Sequence, residues 1–180
     1  MDADQFKQVV IEHQAMVFSL ALHTLRDRAG AEEISQEVFL ALFQHGERIE
    51  SAEHLVHWLR RVAARKCIDQ LRRLRWRRWL PLSEADEAVD RSASARPGDP
   101  LLSARLQRLL GRLPAAARVA LALRYQEELE PAEIAGLLGL SEEAVRKSLR
   151  RTLAQLRLRL ERAHPARSVL GQAEIHQEQR

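Results

Sequence analysis

Apolar residues recur at helical spacing through most of this chain. Between residues 5 and 25, Phe6, Val9, Val10, Met16, Val17, Leu20 and Leu25 follow the period of one helix face. The segment RDRAG (26–30) reads as a turn. A second helix is predicted over 31–44, with Ile34, Val38 and Leu42 on its apolar face. Its Glu32 and Glu33 would fall in the first turn, where acids suit the positive end of the helix dipole. Residues 45–53 read as a loop in which Ser51 caps a third helix over 52–76. Leu55, Leu59, Val62, Ala63, Cys67, Leu71 and Leu74 line one face of that helix, and a basic run takes the others.

The periodicity dissolves at residue 80. The stretch PLSEADEAVDRSASARPGDP is polar, small and bounded by prolines, the composition of a linker. Helical character returns with Asp99 as cap and Pro100 at the first helical position. Pro114 opens a helix to about residue 125, and Pro131 opens another to 138. The last begins after Ser141 and runs towards 163, before Pro165. The fold class expected is therefore all-α, in two small helical domains. One spans 1–79 with three to four helices, 80–99 is the linker, and 100–164 holds four helices. The tail 165–180 is patterned too weakly to assign a role.

Composition agrees with helices. Of 180 residues, 46% are hydrophobic but only 4% aromatic, with just 7 Gly and 6 Pro, so strand-forming runs are scarce. A net charge of +4 suggests a polyanionic partner, and its distribution sharpens the point. Residues 60–78 hold nine Lys or Arg against one acid, Asp69, whereas 83–90 is acidic. Cys67, the single cysteine, excludes an intrachain disulfide and a cysteine-based zinc cluster. The acidic start MDADQFKQVV lacks the features of a signal peptide. No apolar run nears the roughly 20 residues that span a bilayer. A cytoplasmic protein without membrane insertion is expected.

Two segments carry chemistry. In the first, PAEIAGLLGLSEEAV, Ala135, Gly139 and Val145 stand at the spacing of a helix-turn-helix. Two steeply crossing helices need a small residue at closest approach, a residue tolerant of positive φ in the turn, and an apolar anchor on the second helix. Ser141 caps that second helix, with Glu142 and Glu143 in its first turn. Val145, Leu149, Leu153, Leu156 and Leu160 should face the core, leaving Arg146, Lys147, Arg150 and Arg151 outside. Such a helix can enter a major groove, where Arg pairs bidentately with guanine and Lys attracts phosphate. The second segment, WLRRVAARKCIDQLRRLRWRR, mixes cations with tryptophans, as tracks for single-stranded DNA do. Trp58 reads as a core residue, and Trp76 and Trp79 as stacking candidates. Cys67 reads as a small core residue, and Asp69 as a partner for a nearby Arg.

Taken together, AEEISQEVFLALF, WLRRVAARKCIDQLRR, RLLGRLPAAARVALALRY and the helix-turn-helix resemble bacterial RNA polymerase sigma factors of the extracytoplasmic-function (ECF) subfamily. The resemblance covers residues 5–162. It implies a transcription initiation factor that docks on core RNA polymerase and directs it to promoter DNA. Glu33, Gln36 and Glu37 would dock on the clamp of the largest polymerase subunit. Residues 45–53 and the third helix would meet the minus-ten element, capture a flipped base and aid strand opening. Arg60, Arg61, Arg65, Lys66, Arg72 and Arg73 would contact phosphates there, with Trp76 beside them. Ser141, Glu143, Arg146, Lys147, Arg150 and Arg151 would serve the minus-thirty-five element. The resemblance also implies an anti-sigma partner, a monomer when free, no cofactor and no catalytic site. The chain departs from the family pattern at Ala144, Ser148 and the triplet AEE.

The alternative class is a free-standing helix-turn-helix regulator, which would bind duplex DNA alone, as a dimer on a palindrome. The N-terminal half resembles neither a ligand sensor nor a dimeriser. An enzyme is disfavoured, because His54 and His57 lack a third metal ligand at suitable spacing and no phosphate-cradling Gly loop occurs.

Overall fold

A computed structural model describes residues 2–46, 49, 51–77 and 100–161. These form seven α-helices and, among the described residues, no strand: α1 (Ala3–Leu25), α2 (Arg28–His45), α3 (Ala52–Arg77), α4 (Pro100–Gly111), α5 (Ala115–Tyr125), α6 (Pro131–Leu138) and α7 (Glu142–Glu161). The expected linker 80–99, the tail 165–180, Trp79 and the Asp99 cap lie outside the described residues.

Local chemistry explains most boundaries. Asp2 Oδ1 accepts the Gln5 N–H at 2.8 Å and Gln5 Oε1 accepts the Asp2 N–H at 3.2 Å, a reciprocal cap that starts α1. The turn after α1 is shorter than RDRAG. Arg26 takes the left-handed conformation at φ 64°, and Asp27 already caps α2 by accepting the Gly30 N–H at 3.1 Å. A Cβ on residue 30 would stand 2.7 Å from Asp27 Oδ2, so glycine is needed for this cap. Because α2 starts at Arg28, Glu32 and Glu33 fall in its second turn rather than its first. There Glu32 pairs with Arg28 instead, at 3.0 Å. Ser51 caps α3 as expected, its Oγ accepting the His54 N–H at 3.1 Å.

The chain divides into two compact units, Met1–Ser94 with Pro114–Leu149, and Ala95–Leu113 with Arg150–Arg180. In the first, α1, α2 and α3 pack on one another through Val17, Leu20, Ile34, Val38, Leu42, Leu59, Ala63 and Cys67. Full burial of each Leu, Ile or Val contributes about 1.5–3 kcal/mol. Burial pushes the Cys67 thiol up to about 12, so it stays neutral and inert at physiological pH. Leu74, expected on this face, is exposed near the helix end.

In the same unit, α5 packs on α1 and α3, and α6 packs on α3 and α5. The α5 sequence explains why. Ala117 and the run 119–123 are buried on every side, as in a helix enclosed by others. Arg118, the cation within this buried stretch, donates from Nη1 to the Thr24 carbonyl at 3.2 Å. That carbonyl belongs to the last turn of α1, where intrahelical partners run out.

The second unit is smaller. Within it Arg105 of α4 donates to the Arg159 carbonyl of α7 at 3.0 Å, and Leu109 and Leu156 are buried. On α7 the buried positions are Val145, Leu149, Thr152 and Leu156, at steps of four, three and four. Leu153, expected in the core, falls about 100° away from Thr152 and is exposed.

Candidate nucleic-acid interface

The α6–α7 turn is built as its spacing requires. Gly139 takes φ 67°, and both its N–H and that of Leu140 reach the Ala135 carbonyl. Ala135 on α6 and Val145 on α7 are both buried. Ser141 Oγ accepts the Ala144 N–H at 3.2 Å, so the predicted cap forms. Ser141, Glu143, Arg146, Lys147, Arg150 and Arg151 are all exposed. Arg146 is held by Glu142 one turn back, its Nε donating at 2.8 Å, while both side chains stay open to solvent. An exposed pair of this kind is worth little and yields readily to a phosphate or base.

The cations of α3 are placed quite differently from one another. Arg65, Arg72 and Arg73 are exposed, Arg72 lying 4.0 Å from Asp69. Lys66 Nζ donates to Glu37 Oε2 at 2.6 Å, across to α2. Arg61 is half-buried, and its Nε is enclosed without a hydrogen-bond partner among the described residues. Arg60 does not share the outer faces with the rest. It lies one turn before Ala63 and Ala64 and two before Cys67, on the packed side. There its Nε and Nη2 both donate to Glu127 Oε2, at 3.0 and 2.9 Å. The Glu127 side chain is only 7% exposed and that of Arg60 24%. Trp76 lies in the last turn of α3. The expected loop 45–53 narrows to 46–51, of which 47, 48 and 50 lie outside the described residues.

On α2, Glu33 and Gln36 are exposed and Glu37 is half-buried beside Lys66. Glu33 and Glu37, with Lys66, Asp69, Gln70 and Arg73, border a shallow polar groove between α2 and α3, and Gln36 is not part of its lining. Sequence reading missed two neighbours. Leu40 is 56% exposed and Phe43 61%, both on the side of α2 that carries Gln36. The Phe6 ring meets that of Phe43 edge-on, centroids 5.3 Å apart. The signal was present, since Leu40 and Phe43 fall off the stripe of Ile34, Val38 and Leu42. Glu127 gave no signal, being one acid in the run QEELE. Among the described residues no group of three His, Cys, Asp or Glu could hold a metal ion. None of their helices is long and apolar enough to cross a membrane.

Comparison with known proteins defines the class. Residues 9–77 match the family model for Sigma-70 region 2, and residues 103–156 that for Sigma-70 region 4. The chain is 33% identical over 148 residues to the ECF RNA polymerase sigma factor SigF of Caulobacter vibrioides, covering 80% of each protein. It is 34% identical over 160 residues to the probable RNA polymerase sigma factor RfaY of Xanthomonas campestris, covering 84% of this chain and 39% of that one. Its fold is similar to that of CnrH in complex with the cytosolic domain of CnrY, at a TM-score of 0.62 and 22% identity over 89% of this chain and 90% of that one. The chain belongs to the ECF sigma factors, the subunits that direct bacterial RNA polymerase to promoters. With RfaY it shares about two-fifths of the relative's length.

Proposed function

We propose that α7 reads the minus-thirty-five element and that α3 meets the minus-ten element and aids its opening. The observation that carries this reading is the joint exposure of Arg146, Lys147, Arg150 and Arg151 just after a capped, glycine-turned helix start. Arg146 and Arg150 are one turn apart and would read base edges, while Lys147 and Arg151 hold phosphates. Arg61, Arg65, Lys66, Arg72 and Arg73 would follow the opened strand, with Arg60 joining them and Trp76 as the stacking candidate. Extruding a base costs a few kcal/mol, which such strand contacts offset.

Docking on core polymerase falls to the outer face of α2. Glu33, Gln36 and Glu37 supply acceptors, and exposed Leu40 and Phe43 add an apolar centre. Polar residues around exposed apolar ones suit a protein interface better than a solvated helix face. In this reading 1–79 is the docking and melting domain, 80–99 the linker and 100–164 the upstream-reading domain. The protein is a cytoplasmic specificity subunit, without a catalytic site or cofactor of its own, and monomeric when free. An anti-sigma partner is part of the same reading, supported by the similar fold of the sigma factor RpoE of Bartonella quintana, solved in complex with the anti-sigma factor NepR.

Run-off transcription with core polymerase on genomic fragments tests the reading. The purified protein should co-elute with core enzyme at moderate salt and initiate specifically only in its company. Promoter-specific binding to duplex DNA without polymerase would instead make it a free-standing regulator.

A further inference from the structure

The ion pair between Arg60 and Glu127 joins two segments that the proposed function sends to different parts of a promoter. Arg60 lies in the match to region 2 and Glu127 in the match to region 4. Elements about 25 base pairs apart are about 85 Å apart at 3.4 Å per base pair. Two groups 2.9 Å apart must therefore separate before both grips engage. We propose that Glu127 is an internal stand-in for a DNA phosphate, a latch that occupies Arg60 until residues 114–138 leave α3. The proposal rests on the reading of α3 as the minus-ten element's partner.

Three features support a latch over a casual surface pair. The first is its chemistry. A guanidinium that presents Nε–H and Nη2–H to one anionic oxygen offers the donors it would offer a phosphate. The second is burial. With Glu127 7% exposed, a strand cannot reach this edge of Arg60 without displacing the acid. The third is the loop that presents it. The Gln126 and Glu127 N–H groups both reach the Ala122 carbonyl, and the Leu129 N–H reaches that of Leu123. Arg124 Nη1 then ties down the Leu129 carbonyl at 3.0 Å and Glu130 at 2.8 Å. Glu127 is thus held in position by its own loop, and Arg118 adds a second tie to α1 through the Thr24 carbonyl. Opening exchanges the carboxylate for phosphate, so Arg60 need not remain a buried charge without a partner.

Spin labels on full-length His54→Cys/Ala132→Cys protein would test this, both sites being exposed and native Cys67 buried and unreactive. The free protein should give one short distance between α3 and α6. Glu127→Gln should lengthen or broaden it, as should adding core polymerase to the unaltered pair. The same substitution should raise the free protein's affinity for a fluorescein-labelled single-stranded oligonucleotide about tenfold. Transcription by the Glu127→Gln holoenzyme should stay within about twofold of normal, the latch being open there already. A double Arg60→Glu/Glu127→Arg variant should restore the short distance. A Glu127→Gln protein that stays short, or opens without gaining affinity for the oligonucleotide, overturns the proposal. Arg60→Ala in the holoenzyme tests the minus-ten reading separately. Unchanged promoter opening there sinks that reading whatever the distances do. Defective opening together with an unmoved Glu127→Gln distance sinks the latch alone.

Discussion

The cations of α3 and those of α7 look alike in the sequence and differ in the fold. Arg146, Lys147, Arg150 and Arg151 stand exposed, with one weak pair to a neighbour on the same helix. On α3, Arg60 is bound by an acid 67 positions away and Lys66 by one 29 positions away, while Arg61 is half-enclosed. A run of Lys and Arg records charge. It does not record availability, which depends on what the tertiary fold brings to each residue. On the proposed reading, α7 would meet DNA as it stands, whereas Arg60 and Lys66 of α3 would first exchange partners.

The largest expected effect tests the ready helix. The double change Arg146→Glu/Arg150→Glu should lower transcription from the protein's own promoter by more than about 100-fold, each good guanine pair being worth about 1–3 kcal/mol. Co-elution with core polymerase should be unaffected. Normal promoter choice in that variant would erase the contrast from the α7 side.

Stability should separate the two sets next. Arg60→Ala leaves the enclosed Glu127 carboxylate without its partner and should lower unfolding free energy by about 1–3 kcal/mol. Arg151→Ala should change it by less than about 0.5 kcal/mol, as surface substitutions do. Equal urea midpoints for the two variants would show that Arg60 is no more committed than the outer cations.

Lys66 and Glu37 fall between these extremes. Their side chains are 31% and 43% exposed, so a double-mutant cycle to Ala should give a coupling of about 0.5 kcal/mol. A coupling that vanishes when core polymerase is bound would mean that docking takes Glu37 away from Lys66. The smallest effect concerns salt. Lys147→Gln should reduce the slope of log affinity against log salt for holoenzyme on promoter DNA by about 0.9, the share of one phosphate contact. An unaltered slope would remove Lys147 from the phosphate set.

Much of the fold was legible because helices and their ends are specified locally. Ser51, Pro131, Gly139 and Ser141 act within four residues of themselves, and each marks the boundary that its chemistry implies. The misreadings are local as well. RDRAG looked like a turn because Gly30 suggests one, yet the glycine is there to admit the Asp27 cap. Leu153 looked like core because it extends the spacing of Val145 and Leu149, but stepping by four, three and four puts Thr152 there. Arg60 was readable too, since its distance from Ala63, Ala64 and Cys67 already put it on the packed face.

The sequence by itself determined an all-α chain of three to four helices followed by four, a helix-turn-helix with a capped and cationic second helix, and membership of a family whose motifs it carries in order. These depend on periodicity and on contacts over a few residues, which a linear reading captures. The tertiary structure alone decided that Glu127 would face Arg60, that Arg118 would close the end of α1, and that Leu40 and Phe43 would stay largely exposed, Phe43 with the Phe6 ring at its edge. The physical reason is range. An ion pair between residues 60 and 127 depends on how α5 and α6 pack against α3, and neither residue's neighbours in the chain encode that meeting.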